Sequence, residues 1–527
     1  MKYQVDTYFK DVKALVKRYA KARSLFEEWR AIHEEAYEYS MPDKETFSTH
    51  AQGSKKNRHV YDSTAINGLE VFSNKIQYGF FPAWMHWAEF KLGDDIPKTK
   101  KRVMEQDLAK GQKAFFDEFQ RTNFSTEINP SLKQYGIGTG CIEIESGVFG
   151  RKEPAFHFIS VPLPELCLEP CAYGVIKNSW RKHKISLEQI KHIWPKADFD
   201  KSMQTSYDKD PNTEIEIING HLYQPIKDRY FQYILLDGKS HLIFAQDFAT
   251  IRRIVFRESV TPGEPYGRGP IIRMLPDIQT LNLVKDFTLR NGAIQMSGMY
   301  TAVDDGVFNP YTAKVAPGTI LPVASNSSQN PTLQRLESSG DIGLGQLIIK
   351  DLQDGINMAL FAQPLGDAGA PVKSAMENLL RHQADAKRSG TSFERLFTEL
   401  IIPIIEAGTD ILRQRNMFPD ILVDNKQVKI KMVSPLAKQK ELEDFQNSQI
   451  YLENVLQLPK EVAMVSVPFE KFPAYWAEKL NIPEELTRSD EEIKKITETI
   501  AGMQQDILSQ QQEQEQQAQP PAPGPGM

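Results

Sequence analysis

Between Pro262 and Asn416 the chain sets long amphipathic helices against clusters of breakers, and no other stretch constrains the fold as strongly. Ile271, Leu275, Ile278, Leu281, Val284, Phe287 and Ile294 recur mostly at steps of three and four, which predicts a helix from about Pro270 to Ser297. Pro276 lies inside it and is expected to kink the first turns or delay the start. Leu344, Leu347, Ile348, Leu352, Ile356 and Leu360 predict a second helix over Asp341–Phe361. The insert between the two carries Asp-Gly, Pro-Gly and Asn-Pro breakers around three strand-like runs, Met299–Val303, Thr319–Val323 and Thr332–Leu336. Gln363–Val372 then breaks helical structure with two glycines and two prolines. A helix over Lys373–Asn416 comes next, about 66 Å long if continuous, with a kink expected at Pro403. Each stripe is too narrow for burial on all sides. Two such helices with a small β module at their tip form a lever that needs neighbours, and copies of itself in a ring are the simplest supply. Val284, Phe287, Leu352 and Ile356 are the candidate subunit contacts.

Breakers and periodicity organise the rest. Residues 1–140 read as mainly helical: Val12–Met41 closed by Pro42, Ser63–Tyr78 with Ser63 as N-cap, and Lys101–Phe119. From Cys141 to Arg257 the pattern changes to alternation, which predicts a β-rich unit with one helix, Ser186–Trp194, and a hairpin at Asp237-Gly238. Gln427–Met432 reads as a strand and Ala437–Thr499 as helices. The tail, 504–527, is nearly all Gln, Glu, Pro and Gly after Gln510 and cannot bury enough apolar surface to fold alone. The class predicted is α+β, mainly helical.

At 527 residues the chain is too long for one core, so two to four domains are expected. No run of about 18 apolar residues exists, which argues against a membrane partner, and the first residues lack the apolar core of a signal peptide. Cys141, Cys167 and Cys171 suit a reducing compartment; Cys167 and Cys171 have no second pair at zinc-ligand spacing and read as core residues. The formal net charge of −6 does not suit a protein that grips duplex DNA by neutralising phosphates. On charge alone it suits a protein that is merely soluble.

Enzyme signatures are missing. There is no P-loop and no nucleophile elbow. His33-Glu34-Glu35-Ala36-Tyr37 has Tyr where a zincin helix needs its second His. Gly136-Ile137-Gly138-Thr139-Gly140 leads into a strand, whereas a dinucleotide loop leads into a helix, so it reads as a packed turn. The chain is therefore read as a non-enzyme without cofactor or metal.

This organisation resembles the portal protein, or head-to-tail connector, of short-tailed bacteriophages. The resemblance rests on Val60-Tyr61-Asp62-Ser63-Thr64-Ala65 and Gly68-Leu69 before a helix running into Phe80-Phe81-Pro82 and Trp84. It rests further on Tyr266-Gly267-Arg268-Gly269 opening a helix, on the helix–insert–helix, and on the loop before a helix interrupted at Pro403. It implies a dodecameric ring at one capsid vertex, built in the host cytoplasm and carried in the virion. Double-stranded DNA would pass through without being read in sequence. Partners would be the terminase large subunit, which hydrolyses ATP, a tail adaptor, the major capsid protein and scaffolding or internal core proteins. By the same resemblance 1–262 is a wing, 263–297 and 341–362 are stem helices and 298–340 is a clip. The segment 363–372 is a channel loop, 373–436 a long wing helix with its strand, and 437–503 a crown. Arg273, Lys285, Arg290 and Lys350 on the stem helices would face DNA phosphates, or else pair with Asp277, Asp286, Asp351 and Asp354. Gln363, Leu365, Gly366, Asp367 and Gly369 would line the channel, with Lys373 beside them on phosphate. A tail adaptor or baseplate component, or an enzyme with an unrecognised site, remain the other readings. Deleting 504–527 is expected to leave assembly and the unfolding midpoint unchanged; loss of assembly on truncation, read by mass measurement, would show the tail to be structural.

Overall fold

Where apolar residues step by three or four the chain forms helices, and where they alternate it forms strands, with a few departures that tertiary contacts explain. The computed structural model describes residues 11–43, 47, 60–83, 85–92, 98–147, 152–170, 174–238, 241–297, 299–302, 329, 333–336, 342–362, 394–419, 428–433, 435–457, 467–468 and 472–479. The chain divides into two compact units, Met1–Ser434 and Pro435–Met527.

The first unit opens with α1 (Val12–Ser40), whose first turn is capped by Asp11 through a 2.9 Å bond from the Lys13 amide. In α2 (Thr64–Phe80) Ser63 makes no side-chain cap; Asp62 does, accepting from the Thr64 amide at 2.7 Å. Strand β1 (Ala88–Leu92) falls in the stretch expected to be helical. Then come α3 (Lys98–Gln120) and α4 (Phe124–Ile137). α4 has no counterpart among the helices expected from sequence because Asn129-Pro130 looks like a breaker. Its buried stripe Phe124, Ile128, Leu132 and Tyr135 nevertheless keeps helical spacing, and the proline sits off that stripe.

Two antiparallel sheets come after α4. Strands β2 (Thr139–Ser146) and β3 (Phe156–Ser160) join β9 (Arg253–Arg257) in the order β3-β2-β9. Strands β4 (Leu166–Glu169), β5 (Asn178–Ser186), β6 (Glu214–Gln224), β7 (Arg229–Leu236) and β8 (Leu242–Phe248) form a five-stranded meander in chain order. Among its described residues the β-rich stretch holds two α-helices where one is expected from sequence. Helix α5 (Leu187–Ile193) has a capping box of Ser186 and Gln189, and α6 (Lys201–Lys209) is capped by Asp200. Both close over the β5–β8 face around Trp194, Ile217 and Ile234. The connection at Asp237-Gly238 is longer than a two-residue turn, since Leu235 pairs with Leu242; Gly238 takes φ +73° there.

Beyond the sheets run α7 (Pro270–Ser297), β10 (Met299–Ala302), β11 (Leu333–Leu336) and α8 (Ile342–Ala359). Pro276 delays nothing: the helix begins at Pro270. The predicted strand Thr319–Val323 lies outside the described residues. The long helix expected over Lys373–Asn416 is not one uniform α-helix. Residues 394–396 are helical, Phe397–Ile401 form a π-helical turn in which the Ile402 amide bonds the Phe397 carbonyl, and α9 (Ile402–Gln414) continues from it. Pro403 explains the turn. Its ring clashes with the carbonyl four residues back, and the wider π turn shifts that carbonyl aside. Strand β12 (Val428–Met432) then pairs antiparallel with β1, so this late strand closes on the amino-terminal third. In the second unit α10 (Pro435–Leu456) meets α11 (Phe472–Lys479) through Trp476, which lies edge-on to Phe445 and donates to Ser448 at 2.8 Å. The tail is outside the described residues.

Buried arginines join these layers. The guanidinium of Arg253 grips Glu143 at 3.0 Å and donates to the Asn219 carbonyl at 2.8 Å, tying the three-stranded sheet to the five-stranded one. Arg252 reaches Asp410 at 2.7 Å on α9, and Arg257 reaches Glu399 at 2.8 Å on the π turn. Three histidines are held neutral nearby and at α1. Burial, with Arg268, lowers His33 to about 3; burial, with Arg181, lowers His183 to about 3; burial, with Arg253, lowers His221 to about 4. Glu145 moves the other way, raised to about 7 by burial and then by the Glu143 carboxylate. The histidine contributions are complete above the unfolded value of about 6.5 and are lost as pH falls towards their folded values. The Glu145 contribution is complete below about 4.5 and is lost as pH rises towards 7. Near pH 5.5 the unfolded chain thus binds about two more protons than the folded one, and stability should fall by about 2–3 kcal/mol per pH unit of acidification. Urea unfolding at pH 7 and pH 5.5 measures this. His33→Phe should remove about half of the slope, and a midpoint insensitive to pH would contradict the assignment.

Candidate functional site

Helices α7 and α8 lie side by side and are joined at their far ends by the β10–β11 pair, Met299 opposite Leu336 and Ala302 opposite Leu333. Gly345 allows close approach: a Cβ there would stand 2.8 Å from Thr288 Oγ1. Among the described residues the pair is rooted at one end. Ile271, Leu275, Ile278 and Leu281 of α7, and Ile356 with Leu360 at the end of α8, are buried in the first unit. Further out, large apolar side chains face solvent. Phe287 is 57% exposed, Leu347 70% and Met296 91%, and Leu283, Leu289 and Leu344 are more than half exposed. Uncovered apolar surface of this kind, here on more than one face of the outer turns, marks a place that another molecule covers.

Of the subunit contacts proposed from sequence, Phe287 lies on this surface, and Val284 and Leu352 are half-buried at its edge. Ile356 is fully buried within the chain itself and has no surface left for a neighbour. Leu283, Leu289 and Met296 are not evident from sequence, because a helical stripe does not say which of its turns the rest of the chain covers.

The cations are placed one by one. Lys285 is held inside the subunit: its ammonium donates to Asp62 at 2.8 Å. Asp62 is buried and also accepts from Gln353 at 2.8 Å. Burial works to raise its pKa, but the hydrogen bonds from Lys285, Thr64 and Gln353 outweigh that and hold it below the usual carboxylate value. Asn282 completes this junction, accepting from the Tyr61 and Asp62 amides at 2.8 and 3.0 Å. Arg273 pairs with Glu258 at 3.1 Å and Arg290 with Asp286 at 2.9 Å, both on exposed arginine side chains. Lys350 is exposed on α8, with no ion pair among the described residues. Gln363, Leu365, Gly366, Asp367, Gly369 and Lys373 lie outside the described residues.

The two glycine motifs meet. The Gly269 amide donates to the Ile137 carbonyl at 2.7 Å, and a Cβ on Gly138 would collide with the Gly267 carbonyl. Gly136–Gly140 is thus the tight junction of α4 and β2, turning at Gly138, on which the start of α7 rests. Tyr266, just before α7, is buried among Phe26, Trp29 and His33 and donates to the Leu166 carbonyl at 3.0 Å. The packed reading of Gly136–Gly140 follows from the sequence; that its packing partner is Gly267–Gly269 does not. Among the described residues no group of three or more His, Cys, Asp or Glu can hold a metal ion, and no helix is long and apolar enough to cross a membrane.

A family model described as bacteriophage head to tail connecting protein matches residues 12–487. The chain belongs to that family. Its function is that of a phage head-to-tail connector, or portal protein. The connector is also 20% identical over 435 residues to the probable portal protein of Bordetella phage BPP-1, covering 77% of this chain and 75% of that one. The match spans both units, the α7–α8 pair and its insert. Replacing Phe287 and Leu347 together by Asp is expected to keep the circular dichroism and unfolding midpoint of the subunit, because both side chains face solvent. The same variant should stay monomeric where the unaltered connector assembles, because association would bury unpaired carboxylates. Mass photometry reads the outcome, and normal assembly of the variant would exclude this surface as the contact.

Proposed function

We propose that the connector works as a dodecameric ring at one capsid vertex, through which double-stranded DNA is packaged and later ejected. The observation that carries this reading is the α7–α8 pair, whose outer turns leave large apolar side chains uncovered in the lone subunit. Repeating the subunit around an axis covers every such surface with the next copy and leaves none unpaired. In this reading 1–262 is the wing, α7 and α8 are the stem, and 298–340 is the clip that meets the terminase large subunit and the tail adaptor. The segment 363–372 is the channel loop, 373–436 returns to the wing, and 437–503 is the crown facing the interior. Major capsid protein and scaffolding or internal core proteins surround the ring.

The electrostatics favour passage over grip. The net charge is −6, and Arg273, Lys285 and Arg290 each pair with a carboxylate of the same chain. Lys350 and Lys373 are the cations assigned to phosphate, contacts that hold the duplex without reading its bases. Chemistry is left to the motor, so purified connector should hydrolyse neither ATP nor DNA.

Shortening 363–372 is the decisive experiment, because a channel loop guides DNA but does not join subunits. Axial electron micrographs of the shortened variant should still show rings with a central hole, while packaged DNA falls severalfold or leaks after packaging. Rings that package and retain DNA normally would reduce the loop to a connector between helices. Unaltered protein that stays monomeric at micromolar concentration would remove the ring itself.

A further inference from the structure

We propose that Lys75 and Phe72 of α2 are positioning residues for the loop after α8. With Phe361 they form a latch that fixes where α8 stops and in which direction the chain leaves. The proposal rests on the reading of 363–372 as the channel loop.

The end of α8 is unusual. The Ala362 amide bonds the Asn357 carbonyl at 2.8 Å, and Phe361 takes φ +54°. A bond from six residues on to the first, with a left-handed residue before it, is a helix stop that glycine normally provides, since a side chain disfavours that conformation. A non-glycine residue persists there only where its surroundings over-determine it. Three contacts from α2 do so. The Phe361 ring stacks on Phe72 at 6.2 Å and 13°. The exposed ammonium of Lys75 donates to the Phe361 carbonyl, placing positive charge at the negative end of α8. Leu360 presses on Gly68, where a Cβ would stand 2.6 Å from Leu360 Cδ1.

α2 is itself fixed at both heights. Asp62 at its start is bonded by Lys285 of α7 and Gln353 of α8, and Phe72 stacks on Tyr135 of α4 at 6.2 Å. It therefore runs as a strut beside the last turns of α8, from Gln353 to Phe361. Lys75 adds nothing to the core, being exposed. Its bond serves only to hold the exit from α8.

Hydrogen exchange on the assembled connector tests the latch, and DNA retention tests its purpose. In Lys75→Met the amides of 357–362 should exchange about fivefold faster, a left-handed residue being disfavoured by about that factor once its restraint is lost. The unfolding midpoint and the ring mass should not change. Lys75→Arg, which keeps a donor, should behave as the unaltered protein. Phe361→Ala should exchange faster than Phe361→Gly, since both lose the stack but only glycine adopts positive φ freely. Retention of packaged DNA should fall in Lys75→Met and be restored in Lys75→Arg, which a purely structural lysine would not do. Unchanged exchange in Lys75→Met, or equal exchange in the two Phe361 variants, overturns the latch. Faster exchange with normal DNA retention, where shortening 363–372 abolishes retention, overturns the positioning role alone. If shortening the loop is also silent, the channel reading falls and the positioning role with it, while the exchange result still decides whether the latch exists.

Discussion

The buried pairing of Arg253 with Glu143 is the joint on which the first unit depends. Both side chains are almost wholly removed from water, and neither survives there alone: deleting one partner of such a pair costs about 3–5 kcal/mol because the other charge is left uncompensated. Its position gives it reach. Arg253 belongs to the edge strand of the small sheet, Glu143 to the central strand, and the remaining guanidinium protons go to carbonyls of β5 and β6 in the large sheet. Arg252, just before this strand, and Arg257, its last residue, repeat the device towards α9 and the π turn. Six consecutive residues thus tie two sheets to a helix and its preceding turn. The ion pairs on the surface, such as Arg290 with Asp286, contribute little, because water and salt screen them.

That rigid body explains why the α7–α8 pair can project from it. The root of α7 rests on the packed Gly136–Gly138 turn and on the aromatic cluster of Phe26, Trp29 and Tyr266. The Asp62 junction then fastens both helices to the start of α2. Along the described turns beyond that junction, Phe287, Met296 and Leu347 are left uncovered by the chain itself.

Much of this is legible in the sequence where one period dominates. The stripe from Ile271 to Leu281 marks α7, and the alternation at Tyr230–Leu235 marks β7. Legibility fails where local signals conflict with packing. Asn129-Pro130 hides α4, since a proline off the buried stripe looks the same in sequence as one that breaks it. Ala88–Leu92 hides β1, because its partner β12 lies more than 300 residues later and no local pattern announces it. Ile356 is misassigned as a subunit contact because periodicity gives the face of a helix but not the length of it that the rest of the chain covers. The Asp62 junction is invisible for a related reason: its four members come from three distant segments, and only their convergence makes Lys285 an internal cation.

The π turn at Phe397–Ile401 carries one more meaning. An α-helix advances by about 100° per residue, so a turn that accommodates one extra residue resets the phase between the helical segments on its two sides. The apolar face of α9, with Ile404, Ile405 and Ile411 buried, is thereby set out of phase with the helical residues 394–396 on the other side of the turn. Removing a single residue at 397–401 would rotate residues 394–396 by roughly a quarter turn relative to a seated α9, so the length of this segment, more than its composition, sets the direction from which the chain enters α9.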